Sequence, residues 1–158
     1  MHHAKVKIIL YYLCSMKTIG IASDHAGFAL KEAIKEQLGA QGYCLVDFGT
    51  HSNQSMDYPD VAHPLASALE QGRVAMGIAL CGSGNGISMT LNKHQGIRAA
   101  LCWTSEIALL ARQHNDANIC VLPARFISSD IALEIVDTFL HTSFEGGRHQ
   151  NRIEKIPC

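Results

Sequence analysis

Two rhythms of apolar and polar positions alternate along this chain, and each change of rhythm marks an element. "KTIGIAS" (17–23) is a short β-rich run that predicts a strand. "GFALKEAIKEQL" (27–38) spaces Leu30, Ile34 and Leu38 four apart, the signature of one buried helix face, with Gly39 and Gly42 expected to end the helix. "YCLVDFG" (43–49) predicts a second strand, and 58–72 a helix that tolerates Pro59 near its start. "RVAMGIAL" (73–80) predicts a third strand, closed by the glycine-rich "CGSGNG" and followed by a further helix. A fourth strand is predicted over 96–102. Thr104 or Ser105 is placed to cap the helix "EIALLARQH", and a fifth strand covers 117–123. "SSDIALEIVDTFLH" predicts a helix with Ile131, Ile135 and Phe139 or Leu140 on its inner face, and "GGRHQNRIEKI" a last polar helix.

Strand and helix alternate five times, which calls for a parallel sheet covered on both faces. The predicted fold class is therefore α/β, a three-layer α/β/α sandwich around a Rossmann-like five-stranded parallel sheet. In such sheets ligands gather beyond the carboxyl ends of the strands, so the loops after the strands hold the candidate chemistry.

Composition narrows the picture. The 158 residues fit one domain, and 47% hydrophobic content fills a core. The net charge of −1 points to neither nucleic acid nor an anionic membrane as partner. Six cysteines at irregular spacings, with no C-x-x-C pair, predict no disulfide framework and fit a reducing cytoplasm. Cys44, Cys102 and Cys120 fall inside strand-like runs and read as small buried hydrophobes. In "MHHAKVKIILYYLCS" the apolar stretch is too short to span a bilayer. Residues 1–15 thus read as an extension outside the domain rather than a targeting signal, and 16–158 as the domain itself.

"CGSGNG" is the most telling loop. Gly82, Gly84 and Gly86 let backbone N–H groups converge on one point. It is neither a Walker loop nor G-x-G-x-x-G, and a tight strand-to-helix turn would also explain the glycines. Cys81 at its mouth changes the reading. Convergent donors favour a thiolate and stabilise an oxyanion formed beside it, and Ser83 adds a hydroxyl. Asp24 and His25 follow the first strand, where an aspartate also serves as a plain helix cap. His114 ends a helix just before the fifth strand, a place where a lone histidine needs no function. Arg148 and Arg152, four apart, share one helix face and suit a phosphate, or form a solvated basic stripe. The spacing of histidines and cysteines shows no metal set, and no cofactor is expected.

Taken together, "SDHAGFALK", "DFGTHSNQSMDYPD", "CGSGNGISMTLNK", "GIRAALC", "RQHNDANI" and "EGGRHQNR" resemble the ribose-5-phosphate isomerase B family, in order and from about residue 16 to residue 156. That family also contains galactose-6-phosphate isomerase subunits and an allose-6-phosphate isomerase. The resemblance implies a metal-independent aldose–ketose isomerase of the pentose phosphate pathway, a homo-oligomer (dimer or tetramer) whose active site is shared between subunits. It implies that Cys81 moves a proton between C2 and C1 of the open-chain sugar through a cis-enediolate. The loop of Gly82, Ser83, Gly84, Asn85 and Gly86 would hold that enediolate. It further implies that His114, with Asn115 beside it, opens the sugar ring, and that Arg148 and Arg152 bind the phosphate. Asp24, His25 and Tyr58 would line the pocket, and Arg125 would be a further basic residue near the phosphate. Physics alone would put the phosphate on the glycine loop; the family puts the reacting oxyanion there. Two alternatives remain open from the sequence: a six-carbon phosphosugar isomerase, and a non-catalytic nucleotide- or phosphate-binding module.

Overall fold

A computed structural model describes residues 18–157. The proposed extension, Cys14 and Cys158 lie outside the described residues. The strands are β1 (Thr18–Ser23), β2 (Cys44–Asp47), β3 (Met76–Cys81), β4 (Ala99–Leu101) and β5 (Ile119–Pro123). They form one parallel sheet in the order β2-β1-β3-β5-β4. The helices are α1 (Phe28–Ala40), α2 (Pro59–Glu70), α3 (Asn85–Leu91), α4 (Ser105–Asn115), α5 (Ser129–His141) and α6 (Arg148–Ile153).

Right-handed crossovers decide which face each helix covers. The chain leaves β1 in one direction to reach β2, then returns past β1 to β3, so α1 and α2 fall on opposite faces. One core layer packs Leu30, Ile34 and Leu38 of α1 with Ala108 of α4 and Ile135 and Phe139 of α5, against Ile21, Ile78 and Leu80. The other packs Val61 and Leu65 of α2 with Ile87 and Leu91 of α3, against Ala79, Cys81 and Val121. Alternation along β3 therefore sends Leu80 to one layer and Cys81 to the other. The central strands β1, β3 and β5 are apolar and buried almost throughout, whereas the edge strands β2 and β4 are half-covered.

Some sequence expectations shift. Gly39 sits inside α1, and the chain turns only at Gly42, whose φ is +85°. Cys44 is exposed, because β2 is an edge strand and Cys44 is its first residue; Cys102 and Cys120 are buried. The inner face of α5 is Ala132, Ile135, Val136 and Phe139, which leaves Ile131 43% exposed. Spacing of three and four residues, not of four alone, sets that face. Thr104 caps α4 by accepting a hydrogen bond from the Ile107 N–H, and Ser128 caps α5 through the Ile131 N–H.

One polar tie crosses this scaffold. Lys31 of α1 is fully buried and donates to both carboxylate oxygens of Asp47, at 2.7 and 2.6 Å. Lys35 reaches Asp47 at 2.7 Å, and the Gly49 N–H donates to it at 2.9 Å. Burial pushes the Asp47 carboxyl up, but the hydrogen bonds from Lys31, Lys35 and Gly49 outweigh that and hold it below its usual range. A carboxyl lowered by folding adds stability above its unfolded pKa and loses it as pH falls through the folded value. Asp47→Ala leaves the Lys31 ammonium buried with only Glu32 nearby, at 3.2 Å. We expect a loss of about 3 kcal/mol in urea unfolding at neutral pH. The gap between wild type and variant should narrow below about pH 4; a gap that stays constant into acid would contradict this role for Asp47.

Candidate active site

Two groups of candidate residues form, at opposite ends of the strands. The first lies at the carboxyl ends, at the crevice between β1 and β3 where the connections diverge, the switch point of an open α/β sheet. Cys81 is the last residue of β3, and its Sγ accepts a hydrogen bond from the Gly84 N–H at 3.1 Å. Gly84 turns the chain back onto the sulfur with φ +77°, a conformation that strains any side-chain-bearing residue. A Cβ there would also run into Leu101. Ser83 is exposed, and its Oγ accepts from the Asn85 N–H at 3.3 Å.

The neighbours of this loop come from three other segments. The Tyr58 ring lies against Gly86, where a Cβ would fall 2.5 Å from Cζ. Arg125 runs along Gly82, and its N–H donates to the Gly82 carbonyl at 3.0 Å. The Asp24 N–H donates to Leu80 O at 3.1 Å, which ties the first loop to the end of β3. Asp24 also acts as a cap: its Oδ1 accepts from the N–H groups of Ala26 and Gly27. His25 Nδ1 accepts from the Met56 N–H at 3.3 Å, which leaves Nε2 as the protonated nitrogen of the neutral ring. Cys81, Ser83, the glycines, Asn85, Asp24, His25, Tyr58 and Arg125 thus share one end of the molecule.

The second group lies at the amino ends. Helix α4 runs back against the strands, so its last residues, His114 and Asn115, stand beside the start of β5. Cys81 pairs with Pro123 at the far end of the same strand. Four residue steps of about 3.3 Å put roughly 13 Å of strand between the two ends. Arg148 and Arg152, both exposed, belong to α6 at the His114 end: the imidazole of His149 stacks on that of His114 at 4.2 Å and 8°. Within one chain, then, His114, Asn115, Arg148 and Arg152 do not meet Cys81. Arg125 is parted from the two other arginines in the same way.

Glu145 and His149 are the residues that sequence reading passed over. The carboxylate of Glu145 approaches His114 and His149 at 3.9 and 3.7 Å, and its N–H is bonded to the Gln113 carbonyl. Burial, together with the charges of His114, Arg148 and Arg152, pushes the His149 imidazole below its usual range. The signal was in "EGGRHQNR": a glutamate and a histidine four apart, with the histidine directly after the first arginine.

A model of the Ribose/Galactose Isomerase family matches residues 19–156, which take in both groups. The chain belongs to that family. Among its relatives, ribose-5-phosphate isomerase B of Escherichia coli is 44% identical over 141 residues, covering 89% of this chain and 95% of that protein. A crystal structure of ribose 5-phosphate isomerase B from Thermotoga maritima is 51% identical with a TM-score of 0.88, covering 89% of this chain and 97% of that one. The enzyme from Mycoplasma genitalium, solved with bound ribulose-5-phosphate, is 43% identical with a TM-score of 0.85, covering 88% and 93%. Family membership fits the five-stranded parallel sheet and favours an isomerase over a passive phosphate-binding module. Among the described residues no helix is long and apolar enough to cross a membrane.

Proposed function

We propose that this chain interconverts ribose 5-phosphate and ribulose 5-phosphate, in sites that each combine the Cys81 end of one copy with the His114 end of another. The observation that carries the chemistry is the 3.1 Å hydrogen bond from the Gly84 N–H to the Cys81 sulfur. It places a proton acceptor within the same turn of backbone as amide donors, where an oxyanion developing on a substrate is stabilised by about 3 kcal/mol per well-placed donor. The relatives named above, and ribulose-5-phosphate in the Mycoplasma genitalium structure, support the choice of sugar.

The reaction divides between the two ends. His114 takes the proton of the C1 hydroxyl and returns one to the ring oxygen, which opens the furanose to the aldehyde. The Cys81 thiolate then removes the C2 proton, negative charge moves to O1, and the loop from Gly82 to Gly86 with Ser83 holds the enediolate. The O2 hydroxyl proton passes to O1, which shifts the negative charge to O2; the protonated sulfur then delivers its proton to C1 as C2=O2 forms, giving the ketose. Arg148 and Arg152 hold the phosphate and fix C1 and C2 against the sulfur, so binding energy remote from the reacting carbons is spent on positioning. Asn115 supports His114, while Asp24, His25, Tyr58 and Arg125 line the Cys81 side.

A second copy supplies what one chain lacks. Met89 on α3, Trp103 after β4 and Phe126 after β5 stand 66%, 52% and 75% exposed near the Cys81 half, apolar surface suited to burial against another subunit. A turnover assay comparing ribose 5-phosphate with allose 6-phosphate and galactose 6-phosphate tests the substrate. Preference for ribose 5-phosphate is expected, and preference for either hexose phosphate would overturn that choice. Arg148→Ala should raise KM for ribose 5-phosphate about tenfold with kcat nearly unchanged, as expected when a charge-assisted anchor is lost. An unchanged KM would remove Arg148 from the phosphate site.

A further inference from the structure

Three ligand-bearing side chains meet at the amino end of the sheet in a form that proton shuttling does not require. Both imidazoles turn the same atom, Nε2, toward one oxygen, Oε2 of Glu145, at 3.9 Å from His114 and 3.7 Å from His149. All three ligand atoms lie within 4.8 Å of one another. A tetrahedral zinc ion, with bonds of about 2.05 Å, spaces its ligand atoms about 3.3 Å apart. The two nitrogen–oxygen separations are thus within about 0.6 Å of those around a bound ion.

We propose that His114, Glu145 and His149 form a binding site for a zinc-class divalent cation, and that the bound cation inhibits the enzyme. The inhibition rests on the role given to His114 above; the site does not. His149, buried, is the fixed ligand, with only 6% of its side chain exposed. Glu145 and His114, with 50% and 37% of their side chains exposed, have room to close on the ion. Closure is needed because the stacked rings are parallel to within 8°, so one ring must tilt before both lone pairs point at a single centre. The more exposed His114 is the one free to tilt. The fourth position stays open to water.

The surrounding charge decides which cations fit. Arg148 and Arg152 bear on His149 and oppose a second positive centre, and Glu145 offsets only part of that. Magnesium and calcium seek several oxygen ligands, and this site offers one carboxylate, so they gain too little to overcome the arginines. Zinc bonds strongly to neutral imidazole and meets two at once. With Nε2 of His114 committed to the metal, that nitrogen can no longer exchange a proton with the sugar.

The test uses the full-length protein, stripped with a chelator and then titrated with zinc chloride against a chromophoric zinc indicator. One zinc per chain is expected, and Glu145→Gln and His149→Gln should each weaken it by about tenfold or more. Cobalt chloride should give visible absorption without a sulfur-to-metal charge-transfer band, and Cys81→Ala should leave that spectrum unchanged. Absence of zinc uptake, uptake indifferent to both substitutions, or a charge-transfer band that vanishes in Cys81→Ala would each overturn the site. In the isomerase assay, zinc should lower turnover and the chelator should restore it; zinc-loaded enzyme with full turnover would overturn the inhibition. If no phosphosugar is turned over at all, the proposed function fails, and the uptake measurements still decide the metal site.

Discussion

Cys81→Ala is expected to lower kcat for ribose 5-phosphate by about 10⁴-fold, the upper range for loss of a positioned base, while phosphosugar affinity stays close to wild type. Affinity should survive because the proposed phosphate anchors, Arg148 and Arg152, lie on a different element and at the other end of the strands. Folding should survive as well. Cys81 is 4% exposed within the α2–α3 layer, and removing its sulfur leaves only a small cavity, a cost of about 1 kcal/mol. Cys81→Ser sharpens the test. A serine hydroxyl can still accept the Gly84 N–H, so the loop keeps its shape, but it does not ionise near neutral pH and cannot act as the base. Both variants should also stop exchange of solvent deuterium into C1 of ribulose 5-phosphate, because that exchange requires the same proton abstraction. Near-normal turnover or exchange in Cys81→Ala would remove the thiolate from the mechanism.

His114→Ala should separate ring opening from proton transfer. We expect kcat/KM for ribose 5-phosphate to fall about 10²-fold, the lower range for loss of a general acid–base group. Ribulose 5-phosphate carries its phosphate on O5 and has no five-membered ring to open. Its C1 proton should therefore still exchange with solvent at close to the wild-type rate, since the sulfur and the amide loop are untouched. The ratio of exchange to isomerisation rises in this variant, whereas in Cys81→Ala both vanish. Equal losses of exchange and isomerisation in His114→Ala would give the histidine a role in the enediolate step instead.

The order of elements and the tight turn after the third strand were legible in the sequence because both depend on local pattern. Buried parallel strands are short apolar runs, and "CGSGNG" has a glycine at the one position, Gly84, where positive φ and the packing of Leu101 exclude other residues. Edge and face were less legible. Cys44 looks like any strand cysteine until the strand order puts it on the rim, and Ile131 fits a four-residue spacing that the packed face of α5 does not follow. The division of the candidate residues into two groups follows from direction rather than pattern. Asp24, Tyr58 and Arg125 lie against Leu80, Gly86 and Gly82, the neighbours of Cys81, because their loops leave or approach the carboxyl ends of the strands; His114 does not, because a helix returns the chain to the amino ends. The family resemblance implied a pocket shared between subunits, and the sheet topology, which sets the two groups at opposite ends of the strands, is what the proposed pairing of two copies would bridge. His149 was hidden for a different reason: its partner His114 lies 35 positions earlier, and only the packing of α6 on α4 stacks the two rings.

Mixing two inactive variants tests the composite site most directly. Cys81→Ala and His114→Ala would be co-expressed in equal amounts and assayed with ribose 5-phosphate. If each site takes its sulfur from one copy and its imidazole from another, random pairing makes half of the dimers mixed, and each mixed dimer holds one fully wild-type site. Activity should return to about a quarter of the wild-type value. If sulfur and imidazole of one chain served the same site, every site in the mixture would lack one of them, and activity no higher than that of the single variants would contradict the account.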